Sequence, residues 1–360
     1  MRTVLLLLSC LVLSCSLLPL RAEDRKRYTD SERKAAFLKL LDRPKVPADV
    51  KATKPSEMRN GLHYETFSFA TEKKADGTIE RMPVLLVKPA TSDETRRPVV
   101  IVMHGTGGNK ESFRGWLEEF ARQGIIGVSI DARYHGERSG GTKGSDAYVA
   151  AITKAWQTPA GQPREHPFYY DTCWDLWRLL DVLQARPDID PNRIGMMGIS
   201  MGGIQTWLAA AVDDRVQAAA PLIGVQSFRW SLDNDKWQGR ARTILAAHEA
   251  AAKDLGERDV NQRVCRELWT KVIPGMLDNF DGPQLLPLFA GRPLFIANGE
   301  RDPNCPIEGA KLAMASAREA FEKAGCSEKL KILIAEGVPH KVTDEMRKES
   351  IAFMVKSLAK

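Results

Sequence analysis

The sequence lacks the features that mark several large classes of protein. It has no glycine period, no low-complexity tract and no internal repeat, which excludes collagen-like chains, linkers and solenoids. Cysteine is scarce, with 6 in 360 residues, and no pair has the spacing of a zinc site or a CxxC redox motif. Charge of one sign is also lacking, because 52 Lys and Arg are interspersed with 46 Asp and Glu. A composition of 43% hydrophobic and 27% charged residues indicates a globular protein. The interspersed charges do not form the basic segment that is typical of nucleic-acid binding.

The longest hydrophobic run lies at the N-terminus. Arg2 precedes an almost wholly apolar stretch, Val4 to Leu20, and Ala22 offers a small residue before the charged residues that follow. This pattern predicts an export signal in residues 1–22, and therefore a secreted or periplasmic protein. Two alternatives stay open: an uncleaved membrane anchor, since the run is near the shortest that spans a bilayer, and a lipid-modified Cys15.

Four cysteines follow the predicted signal, namely Cys173, Cys265, Cys305 and Cys326. Cys173 lies among apolar residues at helical spacing and is expected in the core. A bridge between Cys305 and Cys326 is an option in an oxidising compartment, but their separation in space does not follow from the sequence.

Residues 23–60 are expected to form an N-terminal extension. Thr29 followed by Glu32 is a capping-box pattern, and the apolar residues after it predict a short helix that stops at Pro44. From residue 61 onward the chain reads as one domain. Tyr64 to Ala70 and Met82 to Val87 predict an antiparallel pair at its start.

Short apolar runs without polar alternation then recur along the chain, which is typical of strands covered on both faces. They are Val99 to Met103, Ile125 to Ile130, Ile194 to Ile199, Val216 to Ile223, Leu294 to Ala297 and Ile332 to Ala335. Segments with helical periodicity separate most of them. The alternation predicts an α/β fold with a doubly wound, mostly parallel sheet in residues 61–360.

One long segment departs from this alternation. The stretch between Ile223 and Leu294 has no strand pattern, and we predict that about 226–288 form an inserted helical cap. Its tryptophans, Trp230, Trp237 and Trp269, are tentative substrate contacts, because large aromatic rings either pack in a core or line a pocket. A second excursion, Ser139 to Pro167, is rich in Gly, Pro and Lys.

The first chemical signal is the pentad Gly198-Ile199-Ser200-Met201-Gly202. Such a pentad alone is a weak signal, but here a predicted strand runs directly into the serine and a predicted helix follows. A turn of this kind strains the serine backbone and presents its hydroxyl at the carboxyl end of the sheet. We predict Ser200 as a nucleophile; the alternative is a serine in an ordinary strand-to-helix turn.

A nucleophilic serine needs a base, and the base needs a group that orients it. His340 follows the last predicted strand, and Asp302 follows the strand before it, so both belong to the same sheet edge as Ser200. The order serine, acid, histidine suits this architecture. Glu300 is the alternative acid.

The loop His104-Gly105-Thr106-Gly107-Gly108 closes the strand Val99 to Met103. Its glycines let main-chain N–H groups approach an oxyanion, and we predict the N–H groups of Thr106 and Met201 as the donors. His104 and Gly105 are tentative substrate contacts. A plain glycine turn is the alternative interpretation.

From about Tyr64 to the C-terminus, the chain resembles an α/β-hydrolase of the dienelactone hydrolase, acetylxylan esterase and prolyl-oligopeptidase-like lineage. The residues that carry the likeness are His104 to Gly108, Asp131 to Ser139, Gly198 to Gly203, Asp302 and His340. The resemblance implies Ser200 as nucleophile, His340 as general base and Asp302 as its partner. The chain departs from dienelactone hydrolases in having serine rather than cysteine, and from oligopeptidases in lacking a propeller.

In that lineage the turn after this strand mostly braces loops, which implies ion pairing for Asp131 and Arg133. His135 has no partner at metal-ligand spacing, so no metal and no cofactor are expected. Serine, histidine and aspartate with an oxyanion hole transfer acyl groups to water. We expect a secreted serine carboxylesterase acting on small acyl or aryl esters, including polysaccharide-linked ones. The alternatives are a secreted serine peptidase of the same fold and a catalytically inactive binding protein.

Overall fold

A ten-stranded mixed sheet crosses the protein in a computed structural model that describes residues 28–91 and 95–359. The predicted export signal and Cys15 lie outside the described residues. The strands are β1 (Lys51–Ala52), β2 (Glu57–Arg59), β3 (Leu62–Lys73), β4 (Ile79–Pro89), β5 (Arg97–Met103), β6 (Ile126–Ile130), β7 (Ile189–Ile199), β8 (Val216–Leu222), β9 (Leu294–Gly299) and β10 (Leu330–Ala335).

Helices of very different length connect and cover these strands. They are α1 (Asp30–Leu41), α2 (Arg114–Arg122), α3 (Asp146–Gln157), α4 (Tyr170–Gln184), α5 (Met201–Val212), α6 (Phe228–Asp233), α7 (Gln238–Arg242), α8 (Leu245–Asp254), α9 (Gln262–Val272), α10 (Gly282–Leu285), α11 (Ile307–Lys323) and α12 (Asp344–Leu358). Single 3-10 turns occur at Gly136–Ser139, Leu286–Phe289 and Ser327–Lys329. None of the described helices is both long and apolar enough to cross a bilayer.

The sheet order is β1-β3-β4-β6-β5-β7-β8-β9-β10, with β2 paired to β3. β1 to β4 pair antiparallel with their neighbours, whereas β5 to β10 form parallel pairs. Helices α2 and α12 pack on one face, and α1, α4, α5 and α11 pack on the other. The predicted doubly wound, mostly parallel sheet with an antiparallel pair at its start is confirmed.

The central parallel strands are buried on both faces, which explains their apolar sequences, whereas the edge strand β10 is only partly buried. Every residue of β6 is buried, and so is every residue of β9. Because each parallel strand ends at the same edge, the loops after β5, β7, β9 and β10 come together there. These loops carry all of the predicted catalytic groups.

The N-terminal extension packs on this domain through α1. Its predicted capping box is present, because the Thr29 hydroxyl accepts from the Glu32 N–H while the Glu32 carboxylate accepts from the Thr29 N–H. Phe37 and Leu41 are fully buried, and the Phe37 ring meets Trp177 edge to face.

The predicted strandless stretch is helical, with α6 to α10 lying between β8 and β9. We call residues 226–288 the inserted segment; its role as a cap over Ser200 stays a prediction. The excursion Ser139 to Pro167 contains α3, a helix that its Gly, Pro and Lys content did not indicate. Tyr148, Ile152 and Ala155 of α3 are buried against α8 and α9.

Buried ion pairs brace the loop after β6, as the resemblance implied. The Arg133 guanidinium donates to both carboxylate oxygens of Asp175 at 2.7 and 2.8 Å, and to Glu72 at 2.7 Å. Asp131 accepts from the main-chain N–H and the ammonium of Lys110. The Arg133 guanidinium and the Asp131 carboxylate are both fully buried. Removing the partner of either one would leave a buried charge without compensation.

All four cysteines in the described part of the chain are unbridged and buried. The optional bridge between Cys305 and Cys326 is therefore not formed. Cys173 lies in the core as expected, where burial raises the pKa of its thiol. A buried thiol with a raised pKa is a poor nucleophile, so Cys173 acts as a small apolar residue.

Candidate active site

Ser200 lies in a strained turn between β7 and α5. Its φ of 58° and ψ of −113° fall outside the regions that non-glycine residues normally adopt. The turn is held from both sides, because the Ser200 N–H donates to Leu222 O and its carbonyl accepts from the Ile204 N–H. Strain of this kind persists only where the surrounding structure over-determines it, and it often marks a functional residue.

Two glycines allow the strand and the helix to approach each other at this turn. A Cβ on Gly198 would come within 2.4 Å of Gly202 O, and one on Gly202 would lie 2.6 Å from Met103 O. Neither contact is sterically allowed, so the glycines of the pentad are required by backbone packing. They explain why G-x-S-x-G predicted this geometry.

Ser200, His340 and Asp302 form a continuous hydrogen-bonded chain. The Ser200 hydroxyl lies 2.7 Å from His340 Nε2, and His340 Nδ1 lies 2.7 Å from Asp302 Oδ2. The second oxygen of Asp302, Oδ1, accepts from the N–H groups of Asn304 at 2.8 Å and Cys305 at 3.1 Å. With both acid oxygens engaged, the His340 ring is oriented with its Nε2 toward Ser200.

The alternative acid, Glu300, is not the partner of His340 Nδ1, a position that Asp302 occupies. Glu300 is exposed, and its carboxylate accepts from the Gly337 N–H at 2.8 Å. Glu300 thus joins the loop after β9 to the loop after β10. Gly299 brings the same loops close, since a Cβ there would lie 2.4 Å from Val338 O.

The glycine loop after β5 packs directly beside Ser200. A Cβ on Gly105 would lie 3.4 Å from Ser200 Cβ and 4.0 Å from its Oγ. Met201 is the first residue of α5, so its N–H has no acceptor within the helix, and Thr106 is half-buried in the adjoining loop. This places the two predicted oxyanion donors on segments that flank the hydroxyl.

His104 turns inward rather than toward a substrate. Its ring is 2% exposed, donates from Nδ1 to Gly105 O at 2.8 Å and accepts at Nε2 from the Ala132 N–H at 3.2 Å. Burial also lowers its pKa. Because both ring nitrogens are used, His104 braces the glycine loop against the loop after β6, and the tentative substrate contact is corrected to a structural role.

Comparison with known proteins gives the same fold. Residues 69–228 match the family model described as acetyl xylan esterase (AXE1). YtaP of Bacillus subtilis (strain 168), a protein named as a hydrolase, is 23% identical over 292 residues, which is 78% of this chain and 84% of that one.

Solved structures cover nearly the whole chain at lower identity. Acetyl xylan esterase 1 from Thermoanaerobacterium sp. JW/SL YS485 superposes with a TM-score of 0.63 at 18% identity, covering 92% of this chain and 94% of that one. A glucuronoyl esterase from Solibacter usitatus gives 0.60 at 18% identity, with 92% and 93% covered.

The chain has the α/β-hydrolase fold. The match to the acetyl xylan esterase family model covers less than half of the chain and supports a carboxylic ester hydrolase, whereas neighbours at 18% identity show the fold alone. The matched residues include the glycine loop and Ser200 but end before Asp302 and His340. The family match therefore does not cover those two residues, and their assignment stays a prediction supported by the geometry described above.

Two connected grooves lie near the site, and only the smaller one is lined by a residue of the hydrogen-bonded chain, Asp302. The smaller groove, of about 540 Å³, meets a larger one of about 1000 Å³ at Arg242 and Thr243. The larger groove runs between α3 and the start of α8. It passes Ser145, whose N–H would lie 3.9 Å from a Cβ on Gly107 in the glycine loop.

The three tryptophans of the inserted segment do not line these grooves. Trp269 is fully buried, donates from its indole N–H to His248 Nε2 at 3.0 Å and packs edge to face on Phe228. Trp230 and Trp237 are half-buried, and the Trp237 indole N–H donates to Asp235. The tentative assignment of Trp269 as a substrate contact is thus corrected to a core residue.

Trp269→Ala should destabilise the hydrolase by about 3–5 kcal/mol, because it opens a large cavity and leaves buried His248 without its donor. Trp237→Ala is the matched control and should change the free energy of unfolding much less. Thermal or denaturant unfolding measures both, alongside kcat/KM for a small and a bulky ester. A Trp269→Ala protein of normal stability with an altered ester preference would contradict this placement.

The structure adds site residues that carry no sequence motif. Arg240 and Gln226 of the inserted segment contact the main chain of the loop that carries Asp302. A buried arginine directed at a backbone carbonyl leaves no pattern in the sequence. The sequence feature that came closest to indicating these residues was the stretch without a strand pattern between Ile223 and Leu294.

Within the described residues, the group of side chains with metal-ligand chemistry is Asp302, Cys305 and His340. Two of these three form the acid–histidine hydrogen bond, and the Cys305 thiol donates to Ile223 O. Burial raises the pKa of that thiol. The hydrogen bonds between His340 and Asp302 and between Cys305 and Ile223 O account for the arrangement.

Proposed function

We propose that this hydrolase is an exported serine carboxylesterase that cleaves small acyl or aryl esters, including those carried by plant or algal polysaccharides. The observation that carries the proposal is the hydrogen-bonded chain from the Ser200 hydroxyl through His340 to Asp302. Export is supported by the signal-like residues 1–22, with a membrane tether through the N-terminus as the alternative.

In this proposal each group in the chain of contacts has one role. Ser200 Oγ attacks the ester carbonyl while His340 Nε2 accepts its proton, and the N–H groups of Thr106 and Met201 bind the developing oxyanion. His340 then returns the proton to the departing alcohol, which leaves an acyl group on Ser200. A water molecule, deprotonated by His340, releases the acid and restores the serine.

Asp302 keeps the imidazole in the productive tautomer. Its Oδ2 accepts the Nδ1 proton, so Nε2 is the nitrogen that faces the serine as an acceptor. The Asn304 and Cys305 N–H groups hold Oδ1 and prevent the carboxylate from rotating. The acid is enclosed, which strengthens its attraction for the imidazolium that forms during attack.

The larger groove supports a hydroxyl-rich alcohol as the leaving group. Its lining combines neutral hydrogen-bonding side chains and apolar side chains with three charged ones, Asp146, Lys154 and Arg242. The neutral polar residues are Ser145, Thr153, Gln157, Thr158, Gln162 and Thr243. A groove of this size holds a ligand of several rings, and such side chains suit sugar hydroxyls better than a long alkyl chain.

A panel of esters tests the proposal. The panel contains p-nitrophenyl acetate and butyrate, acetylated xylo-oligosaccharides, a feruloyl ester and a glucuronoyl methyl ester, with aminoacyl anilides as the amide set. We expect measurable kcat/KM on at least one sugar-linked ester and at least ~10²-fold lower values on the anilides. Higher activity on anilides would favour a peptidase.

Two further outcomes decide the remaining alternative. Labelling of Ser200 by a fluorophosphonate, without turnover of any panel member, would place the substrate outside this ester class. Absence of both labelling and turnover would indicate a binding protein that retains an inactive triad. Either result would overturn the proposed esterase.

A further inference from the structure

Arg240 of α7 is a buried cation in the inserted segment. It is 2% exposed, and across residues 28–91 and 95–359 no carboxylate lies within ion-pair distance of its guanidinium. Burial lowers the pKa of Arg240, but Tyr169 and then Cys305 and Asp302 raise it above its usual value, and its guanidinium carbon lies 5.7 Å from the centroid of the Phe228 ring. Enclosing an unpaired charge is costly, so its contacts call for an explanation.

The guanidinium is directed at the acid loop, which we define as residues 302–305. Arg240 Nη2 donates to Asn304 O at 3.0 Å and lies 3.3 Å from Cys305 Sγ. The Gln226 side chain completes the contact when its amide is assigned the orientation that satisfies both of its ends: the nitrogen then donates to the same Asn304 O at 3.0 Å, and the oxygen accepts from Arg240 at 3.0 Å.

A second observation shows that α7 and the acid loop are in direct backbone contact. A Cβ on Gly239 would lie 2.0 Å from Pro303 O and 3.1 Å from the Asn304 nitrogen. Only glycine allows this approach. The residue before Arg240 therefore sets the distance between the guanidinium and the loop.

One peptide group links Arg240 to the catalytic acid. The carbonyl of the Asn304–Cys305 peptide accepts from Arg240, and the N–H of the same peptide donates to Asp302 Oδ1 at 3.1 Å. In a trans peptide the C=O and N–H point in opposite directions, so Arg240 and Asp302 lie on opposite sides of one rigid plane. A charged donor on the carbonyl also polarises the peptide and strengthens its N–H as a donor.

We propose that Arg240 is a positioning residue for the reaction: it acts through the Asn304–Cys305 peptide to hold Asp302, and thereby His340, in the geometry that activates Ser200. The proposal rests on the proposed function for the roles of the triad residues. It gives the inserted segment a task in catalysis that is separate from substrate choice, since neither Arg240 nor Gln226 lines the grooves.

The test compares Arg240→Met, Arg240→Lys and Gln226→Met with Arg258→Met. Arg258 belongs to the same inserted segment but is exposed, so its substitution controls for loss of charge in that segment. Fluorophosphonate titration counts competent sites, and kcat and KM for a p-nitrophenyl ester are expressed per titrated site. The rate of fluorophosphonate labelling and the far-downfield proton signal of the His340–Asp302 hydrogen bond are recorded as well.

We expect Arg240→Met to lower kcat per site by ~10- to 100-fold with KM within about twofold, because small misplacements of a catalytic group are costly. Arg240→Lys should recover part of that loss, since an ammonium can still donate to Asn304 O. Gln226→Met should show a smaller loss in the same direction, and Arg258→Met none. The labelling rate should fall with kcat, and the downfield signal should weaken or move.

An unchanged kcat per titrated site in Arg240→Met, with only fewer competent sites or a lower thermal midpoint, would reduce Arg240 to a stabilising residue. If Arg240→Met does not fold, normal kcat and labelling rates in both Arg240→Lys and Gln226→Met would also overturn the proposal. Failure of the esterase assignment is distinguishable: wild-type enzyme would then lack ester turnover, while the labelling rates and the proton signal would still report on Arg240.

Discussion

Ser200→Ala is expected to yield a folded protein whose esterase activity is lower by at least ~10³-fold. The substitution removes the nucleophile but leaves the glycine loop, the N–H of residue 201 and the His340–Asp302 pair in place. Alanine occupies the same backbone position, so the strained φ of 58° is retained and the fold should not change. Initial rates on the best ester of the panel measure the effect.

Ser316→Ala is the matched control. The Ser316 hydroxyl donates to Leu312 O within α11, in a part of the chain distant in sequence from Ser200. The variant should therefore keep wild-type kcat/KM. Circular dichroism and thermal midpoints should agree for the two variants and the wild type. Activity of Ser200→Ala within tenfold of wild type would contradict the assignment of Ser200 as the nucleophile.

The sheet could be predicted from sequence because burial on both faces leaves a local signature. The apolar runs that correspond to β5 to β10 are short and show no regular polar alternation. The start of α1 was equally readable, since a capping box is a contact between residues three apart. Features with local causes were thus recovered.

Helix α3 was not predicted, because the composition of the flanking sequence indicated a loop although the residues of the helix have helical spacing. Tyr148, Ile152 and Ala155 have helical spacing, but they lie within a Gly-, Pro- and Lys-rich stretch that indicates a loop. The helix is stabilised by packing on α8 and α9, which are distant in sequence. Trp269 was misplaced for a similar reason, since only the fold shows that Phe228 and His248 enclose it.

For the candidate site, the chain order and the strand ends were sufficient to bring Ser200 and His340 together. The chain order and the strand ends did not exclude Glu300 in favour of Asp302, because both residues follow β9 and lie two positions apart in the same loop. That choice depends on where the backbone of the acid loop points its N–H groups, and these groups converge on Asp302 Oδ1. Arg240 acts on the same backbone, which is why it too required the structure.

Asp302→Asn is expected to lower kcat by ~10³- to 10⁴-fold with little change in KM. The reason lies in the hydrogen bonds that the acid loop makes with the Asp302 side chain. Two N–H groups donate to Oδ1, so the amide oxygen of asparagine would take that position and its NH₂ would replace Oδ2 opposite His340 Nδ1. An NH₂ group can only donate there, which forces the proton from Nδ1 to Nε2 and directs an N–H at the Ser200 hydroxyl. His340 could then no longer accept the proton of the serine.

Glu300→Gln is the control for this substitution, because it neutralises a neighbouring carboxylate of the same loop. Its side-chain oxygen can still accept from the Gly337 N–H, so kcat should stay within about threefold of wild type. Steady-state kinetics on a p-nitrophenyl ester, normalised to folded protein, separate the two variants. The reverse result, a damaging Glu300→Gln and a mild Asp302→Asn, would show that Glu300 orients the histidine in solution and that the hydrogen bond between His340 and Asp302 does not carry the reaction.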